Sequence, residues 1–237
     1  ENVSGLARVM RGYAATALFN VEHDYGTLAD WDAFTKAAHD QGFKIMFDLV
    51  ANHTSDQHPL FRAAVANPGS VLRDWYVFNP GNTSRPYEYA FDFSTLPSLN
   101  YNNPLVRRMF LDVVEFWMEH GVDAFRCDIA SFVPPSFWRA VRRKVFGRKP
   151  GGAMLAEIIP PSPGFHDEQF DLAYHSHLYW NFKDIFAKSG GLDNFNKAMT
   201  SAESFVDSAY IKHVREKVDP ANVLTMRYLD TQDEDRY

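Results

Sequence analysis

The sequence predicts a parallel α/β fold of the TIM-type (β/α)8 barrel kind, and three observations carry that expectation. Helical apolar repeats alternate with short apolar runs, the order of elements in a parallel sheet. Each short run leads into a polar cluster, as strands do at the C-terminal face of a barrel. No glycine-rich phosphate loop follows the first run, where an open doubly wound sheet would usually carry one.

Residues 1–27 are irregular, with glycines at 5, 12 and 26. Between Leu28 and Gln41 the apolar set Leu28, Trp31, Phe34, Ala37 and Ala38 keeps helical spacing, and Gly42 supplies a stop. Phe43 to Val50 then reads as a buried strand running into Ala51-Asn52-His53. Prolines at 59, 68, 80, 86 and 97 break any periodicity in residues 54–102, so this stretch reads as a small inserted subdomain. Its seven rings from Trp75 to Phe93 either fill a core of its own or wall a cleft.

Pro104 opens a strong helix through Val106, Phe110, Val113, Val114, Trp117 and Met118, closed by Gly121. A strand over 122–128 follows, then a helix from Pro134 and Pro135 to Gly147. Ala153 to Ile158 is the next strand and Phe170 to Tyr174 a weaker one. Helical stretches are expected over 177–188 and between 192 and 218, and Val223 to Leu229 is a last strand. That makes five strands where a closed barrel has eight. Residues 1–53 and 103–237 are thus read as an incomplete barrel, interrupted by 54–102.

Composition narrows the partners. The chain has 237 residues, a net charge of −6 and a pI near 5.8, which argues against nucleic acid. No apolar run reaches the roughly 18 residues that span a membrane. Cys127 is the single cysteine, so there is no internal disulfide. The chain begins at Glu1 without an initiator methionine or a signal pattern, which leaves the compartment open and suggests a piece of something longer. Aromatics are abundant (20 Phe, 11 Tyr, 5 Trp), as in carbohydrate clefts, although a Phe-rich core accounts for most single rings.

The strand ends collect chemistry. They carry Asp48, Asn52 and His53; Arg126 and Asp128; Glu157; Gln232 and Asp233. Alternate residues of a strand point the same way, so Arg126 and Asp128 project together and the cation keeps the acid ionised. Glu157 follows the apolar run Ala153-Met154-Leu155-Ala156, where desolvation would keep it protonated. Two carboxyl groups in different environments are what glycoside hydrolysis needs: Asp128 attacks the anomeric carbon and Glu157 protonates the leaving oxygen. Asp233 would sit near the developing oxocarbenium ion or bind sugar hydroxyls. One such acid alone would read as a helix cap; the whole set does not.

The ordered motifs resemble the α-amylase family, glycoside hydrolase family 13. Asp48-Leu49-Val50-Ala51-Asn52-His53 is similar to its first region and Gly121 through Asp128 to its second. Leu155-Ala156-Glu157 is similar to the third and Thr231-Gln232-Asp233 to the fourth, usually Asn-His-Asp. Tyr25-Gly26-Thr27-Leu28 and Leu99 through Pro104 also look like family sequence.

The resemblance implies a retaining mechanism on α-glucans or α-glucosides, with Asp128 as nucleophile, Glu157 as acid and then base, and Asp233 as transition-state stabiliser. Arg126 would hold Asp128, His53 would hydrogen-bond the sugar beside the scissile bond, Tyr13 would stack under it, and Gln232 would bind substrate. The carboxyl groups of Asp128 and Glu157 would stand about 5–5.5 Å apart. Residues 54–102 would wall the cleft. No cofactor is required by this chemistry, although the resemblance admits a structural calcium at Asn52. The partner expected is carbohydrate, with neither nucleic acid nor membrane.

Two tracts depart from the pattern. Gln232 stands where the family usually has His, and its amide can donate to a hydroxyl but cannot carry an imidazolium's charge. Ala17 and Leu18 stand where relatives often carry an acid and a tyrosine. The resemblance places residue 1 after the second barrel strand and Tyr237 just past the seventh. An isolated, unclosed barrel would fold poorly, and activity would belong to a complete protein. Three rival readings remain: a transglycosylase using the same residues, a non-catalytic binding or assembly homologue, and a metal hydrolase built on His53 and His58. The last suffers from ligand spacing that no helix face aligns.

Overall fold

In a computed structural model of the chain, the residues described are 12–158, 165, 168–174 and 224–226. They belong to two compact units, Glu1–Gly152 and Ala153–Tyr237. Helix α1 (Leu28–Asp40) opens the regular structure of the first. Its N-terminus is a capping box: the Thr27 hydroxyl accepts from the Asp30 N–H, and the Asp30 carboxylate accepts from the Thr27 N–H at 2.8 Å. Such a cap is worth about 1 kcal/mol. Gly42, with φ of 83°, ends the helix as the sequence expects.

Strand β1 (Met46–Leu49) is shorter than expected, and it is not buried throughout. Met46 is 43% exposed and Asp48 is exposed too, while Leu49 is buried and Phe47 half-buried. The run is therefore two-faced. Phe47 and Leu49 turn to one side, where the Phe47 ring stacks on Trp117 at 4.7 Å. The other side carries Asp48. Among the described residues β1 pairs only with β2, which leaves its second edge without a partner strand.

The region 54–102 contains helix α2 (Pro59–Ala66), which proline density in the sequence conceals. Pro59 is its first residue, where a missing N–H costs nothing, and His58 is its cap, accepting from the Leu60 N–H at 3.2 Å. Phe61 of α2 meets Tyr76 and Tyr87, each at 4.9 Å between ring centres, and Arg73 lies over Phe78 at 3.8 Å. These rings thus fill a local core. The isolated bridge His53↔Ser98 ties the region to the segment that follows β1, and Tyr76↔Leu99 closes the region on itself.

Helix α3 (Pro104–Glu119) is capped by Asn103, whose side chain accepts from the Leu105 N–H at 2.9 Å. Its six expected apolar residues are all buried. Each large one contributes about 1.5–3 kcal/mol. Gly121, with φ of 94°, turns the chain into β2 (Ala124–Cys127), which is buried at every position. Strands β1 and β2 run parallel with Asp48 opposite Arg126 and Leu49 opposite Cys127. Helix α4 (Pro135–Arg148) buries Phe137, Trp138, Val141 and Val145, as expected. Glu115 of α3 binds Lys144 and Arg148 of α4.

At the start of β2, Asp123 gathers several partners. Its carboxylate accepts from the Ile45 N–H at 2.9 Å and meets His39 Nε2 at 2.7 Å and Lys149 Nζ at 3.1 Å. Burial pushes the Asp123 carboxyl up, but the bonds from Ile45, His39 and Lys149 outweigh it and hold it at about 2.

In the second unit β3 (Ala153–Ala156), β4 (Leu172–Tyr174) and β5 (Leu224–Met226) are parallel neighbours in that order. Asp171 joins the first two, accepting from the Met154 N–H at 2.8 Å. The helices expected over 177–188 and within 192–218 lie outside the described residues.

Candidate active site

Asp128 is the residue after β2, and its N–H donates to the Leu49 carbonyl at 3.1 Å, extending the parallel ladder one step. The side chain is buried. Two residues earlier on the same face, Arg126 is also buried, and its Nη1 donates to Asp128 Oδ1 at 2.7 Å. The expected projection of the pair is what the structure shows.

The same Nη1 donates to Asp48 Oδ1 at 2.9 Å, and the other Asp48 oxygen accepts from the Tyr13 hydroxyl at 2.8 Å. Asp48 was visible in the sequence as a strand-end acid with no role attached. The signal for its role is register: opposed residues of parallel neighbours share a face, and Asp48 is opposed to Arg126. The Arg126 guanidinium carbon lies 5.5 Å from the centre of the Tyr13 ring, so Tyr13 faces the cation as well as binding its second acid. Between Arg126 and Asp128, Cys127 turns into the core, where burial pushes its thiol far up and leaves it neutral packing.

His53 is buried, with both ring nitrogens engaged: Nε2 meets the Tyr13 carbonyl oxygen at 3.1 Å and Nδ1 meets the Asn52 amide nitrogen at 3.3 Å. A carbonyl only accepts, so Nε2 carries the proton and Nδ1 accepts. Burial holds His53 down at about 4, against a weaker upward push from the Tyr13 carbonyl. Asn52 is buried between His53 and the Leu99 N–H, which its backbone oxygen accepts at 2.9 Å. A calcium ion wants six to eight oxygens, of which the Asn52 side chain supplies one. Among the described residues the group of three acids and imidazoles close enough to share an ion is Glu22, His23 and Asp24, exposed and separate in sequence from Asn52. The metal reading of His53 and His58 finds His53 committed to Tyr13 and Asn52, and His58 to its cap.

Glu157 stands half-buried, one residue past β3 in the second unit. Gln232 and Asp233 lie outside the described residues. A cavity of 660 Å³ on residues 56–66 and Tyr87 includes none of the Asp128 group.

The α-amylase catalytic-domain model matches residues 6–236. The chain belongs to the α-amylase family. It is 33% identical over 226 residues to the α-amylase MalA of Haloarcula japonica, covering 95% of this chain and 32% of that protein. The trehalose synthase/amylase TreS of Mycobacterium tuberculosis is 32% identical over 183 residues, 62% of this chain and 30% of that protein. Among solved structures, the α-amylase from H. orenii superposes with a TM-score of 0.73 at 27% identity, over 92% of this chain and 48% of that one. The fold is accordingly the family's TIM-type barrel, represented here by an incomplete parallel sheet. The chain spans roughly a third of the length of these curated α-amylase-family relatives.

Proposed function

We propose that this chain carries the catalytic residues of a retaining α-glycosidase acting on α-glucans or α-glucosides. The observation that carries the reading is the buried strand-end pair, with Arg126 Nη1 at 2.7 Å from Asp128 Oδ1. A cation at that distance favours the ionised carboxyl, which is the form that attacks carbon.

In the first step an Asp128 oxygen bonds to the anomeric carbon as the bond to the leaving oxygen breaks, and Glu157 gives that oxygen its proton. In the second, Glu157 takes a proton from water, whose oxygen displaces Asp128 and restores both groups. Two inversions at one carbon give net retention. Asp233 would stabilise the positive charge in both transition states. Tyr13, fixed by Asp48 and by the His53 bond to its carbonyl, offers its ring to the sugar bound at Asp128. His53 meets a sugar hydroxyl only by exchanging one of its two present partners.

The test is a panel of α-glucosides and maltooligosaccharides on the full-length protein, with Asp128→Asn as control and product anomers followed by NMR. Retained configuration and loss of turnover in Asp128→Asn are expected; full activity in that variant defeats the mechanism. Transglycosylation shares the covalent intermediate, and the TreS relative's name gives reason to include an acceptor sugar in the assay.

A further inference from the structure

The cap of helix α2 is a histidine. His58 is only 7% exposed; its Nδ1 accepts the Leu60 N–H at 3.2 Å and its carbonyl accepts the Arg62 N–H at 3.0 Å. An accepting nitrogen carries no proton, so the proton of the neutral ring is on Nε2. Helix caps are usually Ser, Thr, Asp or Asn, and of these the hydroxyls and the amide accept at any pH. An imidazole accepts only while neutral. The protonated ring has an N–H on both nitrogens, and its charge would sit at the positive end of the helix.

Helix α2 has eight residues, too few to hold as an isolated helix, and it buries Phe61 and Ala64. Its cap is joined to the stretch that carries Tyr13. The His58 N–H donates to the Ser55 carbonyl at 3.0 Å, and the Ser55 N–H donates to the Ala15 carbonyl at 2.9 Å, two residues from Tyr13. The titratable groups that the neighbouring elements pack on α2 are Arg73 and Asp74 of the turn Val71–Trp75, and the phenols of Tyr76 and Tyr87. Arg73 donates to the Ala64 carbonyl, Asp74 accepts from Asn100, Tyr76 meets Thr54, and Tyr87 donates to the Ser94 carbonyl. On the histidine's own stretch, Asp56 accepts from Gln57 and Arg62 is exposed. Among the described residues none of these groups is bonded to the His58 ring. Burial is therefore what acts on the imidazole, and it holds the ring below its ordinary 6.5.

We propose that His58 is an acid-released latch: protonation of its ring frees the first turn of α2 and, through Ser55, loosens the stretch that carries Tyr13. The latch is closed at and above the ordinary 6.5 and opens as pH falls through the lower value of the folded protein. Weaker sugar binding at Tyr13 in acid rests on the glycosidase reading above; the release of α2 does not.

The experiment is hydrogen exchange on the full-length protein from pH 7 to 4, in wild type and His58→Asn, with α3 as internal reference. Asparagine caps a helix and does not titrate. Corrected for the intrinsic exchange rate, protection of residues 60–66 and of the Ser55 amide should fall about 5- to 30-fold relative to α3 in the wild type and stay level in the variant. NMR of selectively labelled histidine gives a reading that needs no variant: the His58 ring should titrate with the midpoint at which α2 loosens. Protection that outlasts protonation of the ring overturns the latch, as does an equal loss in His58→Asn. The KM for maltotriose, taken as wild type over variant so that His53 contributes alike to both, should rise about 3- to 10-fold over this range while the kcat ratio holds. A flat KM ratio with α2 loosened overturns the coupling to Tyr13. Turnover retained in Asp128→Asn sinks the glycosidase reading instead, and leaves the exchange result standing.

Discussion

Asp48 and Asp128 accept hydrogen bonds from one and the same nitrogen, Nη1 of Arg126, at 2.9 and 2.7 Å. Asp128 is buried and Asp48 is exposed, so a single guanidinium joins a buried carboxylate to one facing solvent.

Removing the outer acid should loosen the inner one. Asp48→Asn leaves Arg126 with a weaker, neutral acceptor and changes the partner of the Tyr13 hydroxyl. We expect kcat/KM on an α-glucoside to drop roughly 10- to 100-fold, since misplacement of about 1 Å has that effect. The melting temperature should move little, because Asp48 is exposed. Asp128→Asn should cost far more, on the order of 1,000-fold or beyond. Steady-state kinetics on both variants decides; equal losses would show that Asp48 does more than position.

His53 sets a pH window. Its folded value of about 4 lies below the ordinary 6.5, so the unfolded chain binds the extra proton between those pH values. Stability from this residue is therefore complete above about 6.5 and falls as pH drops toward 4. The size is on the order of 2–3 kcal/mol. Urea unfolding of wild type and His53→Asn between pH 7 and 4 measures it, and the variant's curve should be the flatter. The imidazole signals of His53 should show the neutral ring down to about pH 5.

Asp123 works in a lower window. Its carboxyl is held at about 2 against an ordinary 3.8, so its contribution is full above 3.8 and disappears as pH falls through 2. Asp123→Asn should unfold about 1–2 kcal/mol more easily at pH 7, leaving His39 and Lys149 with a weaker partner. The gap from wild type should close in acid. A gap that stays constant to pH 2 would mean the loss is one of packing.

Gly121→Ala should damage folding. A Cβ there would lie 2.5 Å from Thr35 Oγ1 and 2.6 Å from Thr35 Cβ, on a backbone with φ of 94°. Thr35 is buried on α1 and cannot give way. A loss of about 2–4 kcal/mol is expected, combining backbone strain with overpacking. Adding Thr35→Ala should recover part of it, as equilibrium unfolding of the double variant would show.

Much of this was legible because period and punctuation agreed. Pro104 and Gly121 bracketed α3, and every apolar residue assigned to its inner face is buried. Gly42 marked the end of α1 in the same way, while its Thr27 cap is seen in the structure. The pairing of Arg126 with Asp128 could be read because it depends only on alternation within one strand. The Asp48 bond to Arg126 could not, since it needs the register between strands, which no local pattern states. Helix α2 was hidden because a proline at the first turn of a helix looks like a loop signal when other prolines surround it. The exposure of β1 was missed because an apolar run says what a strand can bury and not which of its faces is covered.

The β1–β2 register has a consequence for how this sequence can change over time. The Ile45 carbonyl accepts from the Asp123 and Ala124 N–H groups at 2.9 and 3.1 Å, and the Asp123 carboxylate accepts the Ile45 N–H in return. That clasp fixes one end of the strand pair, and the Asp48–Arg126 bond depends on the count of residues from it. A single residue inserted or deleted between 45 and 48, or between 123 and 126, would turn Asp48 and Arg126 to opposite faces. Length variation in descendants should thus collect in stretches such as 79–86, while these two short intervals keep their lengths even where their letters change.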